Sequence, residues 1–179
     1  MMPCTVFLYI WIYKAWQFFY MKTLKITSDQ INRAKKLYPF DILNNSITKG
    51  AGNITGALGE IIIHDLYLSK GYNVSFESTF DYDLIINDFK VDVKTKKTKA
   101  IPVESYLCSI PERQINQRCD YYYFLRIHEN MNDCFVLGFI SKQRFFNEAF
   151  YKRKGELDIN NWTFKDNCYN IKIESLSKL

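Results

Sequence analysis

The 179-residue sequence is poor in the residues that build metal centres and disulfide scaffolds. Its five cysteines (Cys4, Cys108, Cys119, Cys134, Cys168) are odd in number and scattered, and no CxxC pair occurs. That spacing argues against a disulfide framework and a zinc ribbon. It fits a reducing, cytoplasmic setting, where cysteine acts as a small buried hydrophobe. With only His64 and His128 present, a His-rich zinc centre is also excluded. Seven glycines and four prolines form no linker, and no repeat or low-complexity tract divides the chain. No apolar run reaches the roughly 20 residues that cross a bilayer. Val6–Tyr13 comes nearest and stops at Lys14, without the flanks of a secretory signal. Residues 1–20 are therefore expected to be an extension, with an upstream start favoured over a membrane anchor. Met21-Lys22-Thr23-Leu24 reads as a second start, leaving one domain over 21–179.

What is present is ordinary in amount, with one exception. The hydrophobic fraction of 47% and charged fraction of 24% match a globular chain able to bury its own core. Aromatics are in excess at 17%, enough to supply both a core and surfaces on which bases or sugars stack. A net charge of +5 is a mild pull towards polyanions, shared by many proteins that bind no nucleic acid.

Thr27-Ser28-Asp29 predicts a helix cap and a helix through Lys36, and 44–53 reads as a loop. A second helix is expected from Ile54 to Lys70, closed by Gly71, with Leu58, Ile61, Ile62, Leu66 and Leu68 on a broad apolar face. Strands are expected at Tyr72–Glu77, Asp81–Ile86, Phe89–Lys96 and Val103–Ile110, with a Lys/Thr-rich loop before the last. A short helix from Pro111 to Arg118, a hairpin of Asp120–Ile127 with Cys134–Ile140, a helix from Ser141 to Lys152 and an edge strand at Asn167–Ile173 complete the chain. This order indicates a mixed α/β or α+β sheet domain.

The chemistry concentrates in Asp81–Lys96. Asn87-Asp88 suits a two-residue hairpin turn, because Asn and Asp tolerate its positive φ. The implied register sets Ile86 opposite Phe89, Leu84 opposite Val91, Asp83 opposite Asp92, Tyr82 opposite Val93 and Asp81 opposite Lys94. One face then holds Tyr82, Leu84, Ile86, Phe89, Val91 and Val93, and a one-residue slip would destroy that separation. Opposed carboxylates destabilise a sheet unless positive charge sits between them. Lys94 supplies part of it, and two carboxylates on a stiff sheet suit a hard divalent cation such as Mg²⁺. The ordinary alternative is an exposed sheet face of alternating charges.

Glu60, in Gly56-Ala-Leu-Gly-Glu60, shifts that balance. Glycine costs about 0.8–1.0 kcal/mol in a helix relative to alanine. Gly56 and Gly59 one turn apart therefore predict close approach to another backbone, carrying Glu60 towards the aspartates.

These residues resemble the PD-(D/E)XK nuclease superfamily: Glu60 on the first core helix, Asp83 in the second core strand and Asp92-Val93-Lys94 as the D-x-K tripeptide. Tyr82 stands where the family pattern has proline. The resemblance covers Ile54–Ile140, and the stretch Cys108–Ile140 is similar to uncharacterised phage and bacterial members. It implies a restriction-endonuclease-like core, a mixed sheet of about five strands flanked by helices. It implies a Mg²⁺-dependent endonuclease acting on DNA, with Mn²⁺ able to substitute. Asp83, Asp92, the Val93 carbonyl and Glu60 would be the metal ligands, and Lys94 would orient water or offset developing charge. Lys96, Lys97 and Lys99 would hold the phosphate backbone, or form a solvated basic loop. Gln114 or Gln117 would match an auxiliary glutamine. His64 is expected to be a packed or surface histidine. The implied partners are nucleic acid, and a second copy of the chain where both strands are cut. No membrane partner is implied. The rival reading is a catalytically silent nucleic-acid-binding or assembly module that keeps the fold.

Overall fold

A computed structural model describes residues 21–37, 51–77, 79–158 and 161–179, with the side chains of 51–53 excepted. Residues 1–20, most of the 44–53 loop and Pro39 lie outside the described residues. Among the described residues no helix is long and apolar enough to cross a membrane.

Local signals set the first elements. Strand β1 (Lys22–Lys25) leads to helix α1 (Ser28–Leu37). The Thr27 hydroxyl accepts from the Gln30 N–H while the Gln30 side chain accepts from the Thr27 N–H, a reciprocal capping box. Helix α2 (Ala51–Leu68) starts earlier than expected, so residues 51–53 are helical. It ends as expected at Gly71, whose φ of 83° permits Gly71 N–H to reach Leu68 O and Tyr72 N–H to reach Tyr67 O. Ala57, Leu58, Ile61, Ile62 and Ile63 are all buried, more than one face's worth, because α1 covers the side of α2 turned away from the sheet. Leu68, expected in that face, is instead exposed.

The main sheet has six strands in the order β1-β7-β6-β4-β3-β2. These are β2 (Val74–Phe76), β3 (Leu84–Ile86), β4 (Phe89–Thr98), β6 (Tyr121–His128) and β7 (Asp133–Ser141), with β1 at the edge. Among the described residues only β4 and β6 run parallel, so the sheet is mixed as expected, with one strand more. The helix-then-hairpin order and mixed sheet make the α+β architecture that the sequence predicts.

A second sheet was not anticipated. Strands β5 (Leu107–Pro111), β9 (Cys168–Lys172) and β8 (Phe150–Lys152) form it, with β9 central rather than an edge. Helix α3 (Lys142–Glu148), capped by Ser141, stops short of the expected Lys152 because Phe150–Lys152 pairs with β9. The expected helix from Pro111 to Arg118 is a single 3₁₀ turn at Glu112–Gln114.

Two cores result. One lies between the main sheet and α1/α2 and includes Leu84, Val91 and Val93. The other, under the small sheet and α3, includes Cys108, Tyr122, Phe124, Phe145 and Ile171. Side chains alternate along β4, so Asp92, Lys94 and Lys96 occupy the face opposite α2, beneath the small sheet.

Candidate active site

Asn87 and Asp88 adopt φ values of 45° and 62°, the conformation a two-residue hairpin turn demands. The expected register holds from Ile86↔Phe89 to Leu84↔Val91 and there it ends. Asp83 donates its N–H to the Val91 carbonyl at 2.9 Å, so Asp83 and Leu84 both face Val91 in the manner of a bulge. The Asp83 carboxylate accepts the Val93 N–H at 2.7 Å and thus takes the place of a backbone acceptor. Two expectations are corrected by this break. Tyr82 does not join Leu84 and Val91 but packs against the second core, on the opposite face. Asp81 does not face Lys94; its carboxylate accepts the Arg118 N–H at 3.2 Å and lies 3.8 Å from the Arg118 Nε.

Asp92 is 2% exposed in the middle of β4, and its two oxygens have separate partners. Lys94 Nζ stands 2.6 Å from Oδ2, and Gln117 Nε2 donates to Oδ1 at 3.1 Å. Gln117 is itself buried and rigidly held. Its amide also donates to the Phe80 carbonyl at 2.7 Å, while Lys142 donates to its own carbonyl. Of the two glutamines weighed in the sequence, Gln117 is the one at the carboxylate. Gln114 lies in the 3₁₀ turn, and among the described residues no hydrogen bond joins it to either aspartate.

Asp92 perturbs Asp83. Burial, reinforced by the charge of Asp92, pushes the Asp83 carboxyl up to about 6, against the opposing pull of the Val93 N–H and Lys94. Burial raises Asp92 as well, opposed by Lys94 and by the Gln117 amide. The site thus holds more negative charge than it satisfies, and Lys94 is the cation nearest to it. Such a donor set fits a hard divalent ion: two carboxylates, drawn from adjacent strands, whose repulsion a cation would relieve.

Helix α2 reaches this region through Gly59. A Cβ there would sit 1.9 Å from Thr95 Oγ1 and 3.0 Å from Thr95 Cβ, so the helix lies directly on β4. Gly56, expected to share that role, has nothing within 4 Å. Glu60 follows at 6% exposure, buried in the helix layer. Among the described residues no three His, Cys, Asp or Glu side chains group as a ready metal cage, so Glu60 does not close one with Asp83 and Asp92.

Lys96 and Lys97 belong to β4 rather than to a loop, and Lys99 follows its end. His64 is packed: its ring stacks on Phe76 at 4.4 Å and its Nδ1 lies 3.1 Å from Asp65.

No family model matches the chain, and no curated protein does. Among solved structures it is similar to Hjc, a Holliday junction resolvase from the archaeal hyperthermophile Archaeoglobus fulgidus, at 10% identity and a TM-score of 0.36. The likeness covers 65% of this chain and 83% of that one.

Proposed function

We propose that this chain is a Mg²⁺-dependent endonuclease that hydrolyses phosphodiester bonds of DNA. The observation that carries the reading is half-buried Asp83, raised by burial and by the charge of buried Asp92, with Lys94 Nζ 2.6 Å from Asp92. A buried like-charge pair costs stability, and a fold keeps one where the charges are used.

Asp83 and Asp92 would hold the ion with the Val93 carbonyl, Glu60 joining them only where α2 shifts towards the pair, and Mn²⁺ would serve in place of Mg²⁺. When bound, the ion lowers the pKa of a water and offsets charge on the scissile phosphate. Lys94 neutralises Asp92 in the metal-free protein; freed from that carboxylate, it stands beside the charge that develops on the phosphate oxygens. Gln117 fixes the Asp92 carboxylate from the other side, so that oxygen cannot turn away. Lys96, Lys97 and Lys99 hold the phosphate backbone, a contribution that weakens with salt. Cutting both strands takes a second copy of the chain.

The test is cleavage of plasmid and single-stranded DNA with Mg²⁺ or Mn²⁺, beside calorimetric titration of either ion. Wild-type protein is expected to cut and to bind the ion; Asp83→Asn should lose ion binding, and Lys94→Met should lose cutting while retaining DNA. An identical null from wild type and Asp92→Ala across all substrates refutes the reading. Tight DNA binding without cleavage would identify a silent binding module instead.

A further inference from the structure

Two residues beyond Lys94, on the same face of β4, a cavity of about 410 Å³ opens between the main sheet and the small one. Its volume is that of a small-molecule site. Lys96 of β4 and Arg126 of β6 line its floor, direct partners in the parallel ladder and so on one face. Tyr106 and Ser109 come from the small-sheet side, and Trp162 and Phe164 from the segment before β9.

The floor carries concentrated positive charge. Among the described residues neither Lys96 nor Arg126 forms an ion pair. Lys96 Nζ donates to Ser109 Oγ at 3.1 Å, and Arg126 donates to the Leu107 carbonyl at 3.2 Å with its guanidinium 5.2 Å from the Tyr106 ring centre. Surrounding protein, together with Arg126, lowers the Lys96 pKa, although the ammonium still meets solvent through the cavity mouth. Burial likewise lowers Arg126. Asp158, the acid on the rim, accepts the Trp162 N–H at 2.8 Å and so holds the turn that presents the indole. Trp162 is 47% exposed and meets Phe164 edge to face at 5.2 Å.

Adjacent cations that repel one another mark a place where an anion is gained, and the aromatic wall beside them marks the anion's companion as a planar ring. We propose that this cavity binds a nucleotide unit, its phosphate on Lys96 and Arg126 and its base against Trp162. Plain anion sites need no indole, and plain aromatic pockets need no paired cations. The unit is either a free mononucleotide or one residue of a single strand. The cavity lies about 7 Å along β4 from Lys94, from two residues at the strand rise, so a strand lying in the candidate active site would continue into it. The inference goes beyond the phosphodiesterase reading and does not depend on a metal.

The experiment uses the full chain in EDTA, which separates it from any failure of cleavage. Thymidine monophosphate, inorganic phosphate and fluorescent decathymidylate are titrated by calorimetry and anisotropy at fixed ionic strength. Lys96→Met/Arg126→Met is expected to weaken both nucleotide probes by about tenfold or more. Trp162→Leu is expected to weaken them by a similar factor, about tenfold, while leaving inorganic phosphate unaffected. Decathymidylate binding far tighter than the monophosphate assigns the site to a strand, and equal binding assigns it to a free nucleotide; either supports the proposal. Wild-type affinity in all variants overturns it. So does phosphate binding as tightly as the monophosphate with no effect of Trp162→Leu. Circular dichroism checks folding; should the double variant unfold, the exposed Trp162 position carries the test alone.

Discussion

Asp83→Asn should make the metal-free protein more stable while abolishing the proposed ion binding, and the effect should depend on pH in a specific direction. In the folded chain the Asp83 carboxyl is pushed from its ordinary 3.8 up to about 6, first by burial and then by Asp92. A folded pKa raised above the unfolded one gives stability that is complete below about 4 and lost as pH rises through about 6. At about 1.4 kcal/mol per pH unit, ionised Asp83 costs the fold about 3 kcal/mol at pH 8. Asparagine carries no charge, yet its Oδ1 still accepts the Val93 N–H that Asp83 now accepts at 2.7 Å. The variant should therefore unfold about 3 kcal/mol harder at pH 8, a rise of about 6–12 °C in Tm for a domain of this size, and match wild type near pH 4. The measurement is thermal or urea unfolding in EDTA at pH 4, 6 and 8. Added Mg²⁺ should close the gap by raising wild type alone, by about 2.7 kcal/mol at a hundredfold excess over Kd. A variant less stable than wild type at pH 8, or a difference that does not change with pH, refutes the electrostatic account of the pair.

Three further predictions concern the neighbouring scaffold. Gly59→Ala should destabilise by about 1–3 kcal/mol in urea unfolding, because its Cβ would meet stiff, β-branched Thr95 at 1.9 Å from Oγ1. Gly56→Ala meets nothing within 4 Å and should stabilise by up to about 1 kcal/mol. Gln117→Leu strips the donor from the Phe80 carbonyl and from buried Asp92 Oδ1, and should cost about 1–3 kcal/mol by the same measurement.

Much of the hairpin was legible in the sequence because its information is local. Asn87-Asp88 dictates the turn, and the period-two pattern dictates the burial of Leu84, Ile86, Val91 and Val93, although Phe89 beside the turn is exposed and Asp92 is buried. Capping at Thr27 and closure at Gly71 were legible for the same reason. The small sheet was legible only in part: strands at Val103–Ile110 and Asn167–Ile173 are expected locally, but their pairing with each other, and that of β9 with Phe150–Lys152, is set by contacts between separate segments. Phe150–Lys152 reads as the end of a helix until that partner is present. The cavity residues show the same limit. Arg126 and Lys96 are brought together by a parallel ladder, and nothing near either residue announces it.

The break at Asp83 shows why the pattern failed at the candidate site. A regular ladder would have set Asp83 squarely against Asp92 and given the Val93 N–H to a backbone carbonyl. Instead the carboxylate accepts that N–H itself, and the strand leaves its register one residue before the pair would form. The exchange lets the carboxylate oxygen be fixed by the backbone of the D-x-K tripeptide, at the expense of the ladder beyond it and of Tyr82's expected face. Alternation rules assume that side chains do not compete with the backbone, and Asp is a residue that does. Gly59 applies the same logic from the helix side: it forgoes helix propensity so that α2 can rest on Thr95, which sets the depth of Glu60 one residue later. An alanine there would lift Glu60 away from β4 together with the helix. Gly59→Ala should therefore weaken ion binding beyond what its loss of stability explains, if Glu60 is a ligand, and leave it unchanged if Asp83 and Asp92 act alone.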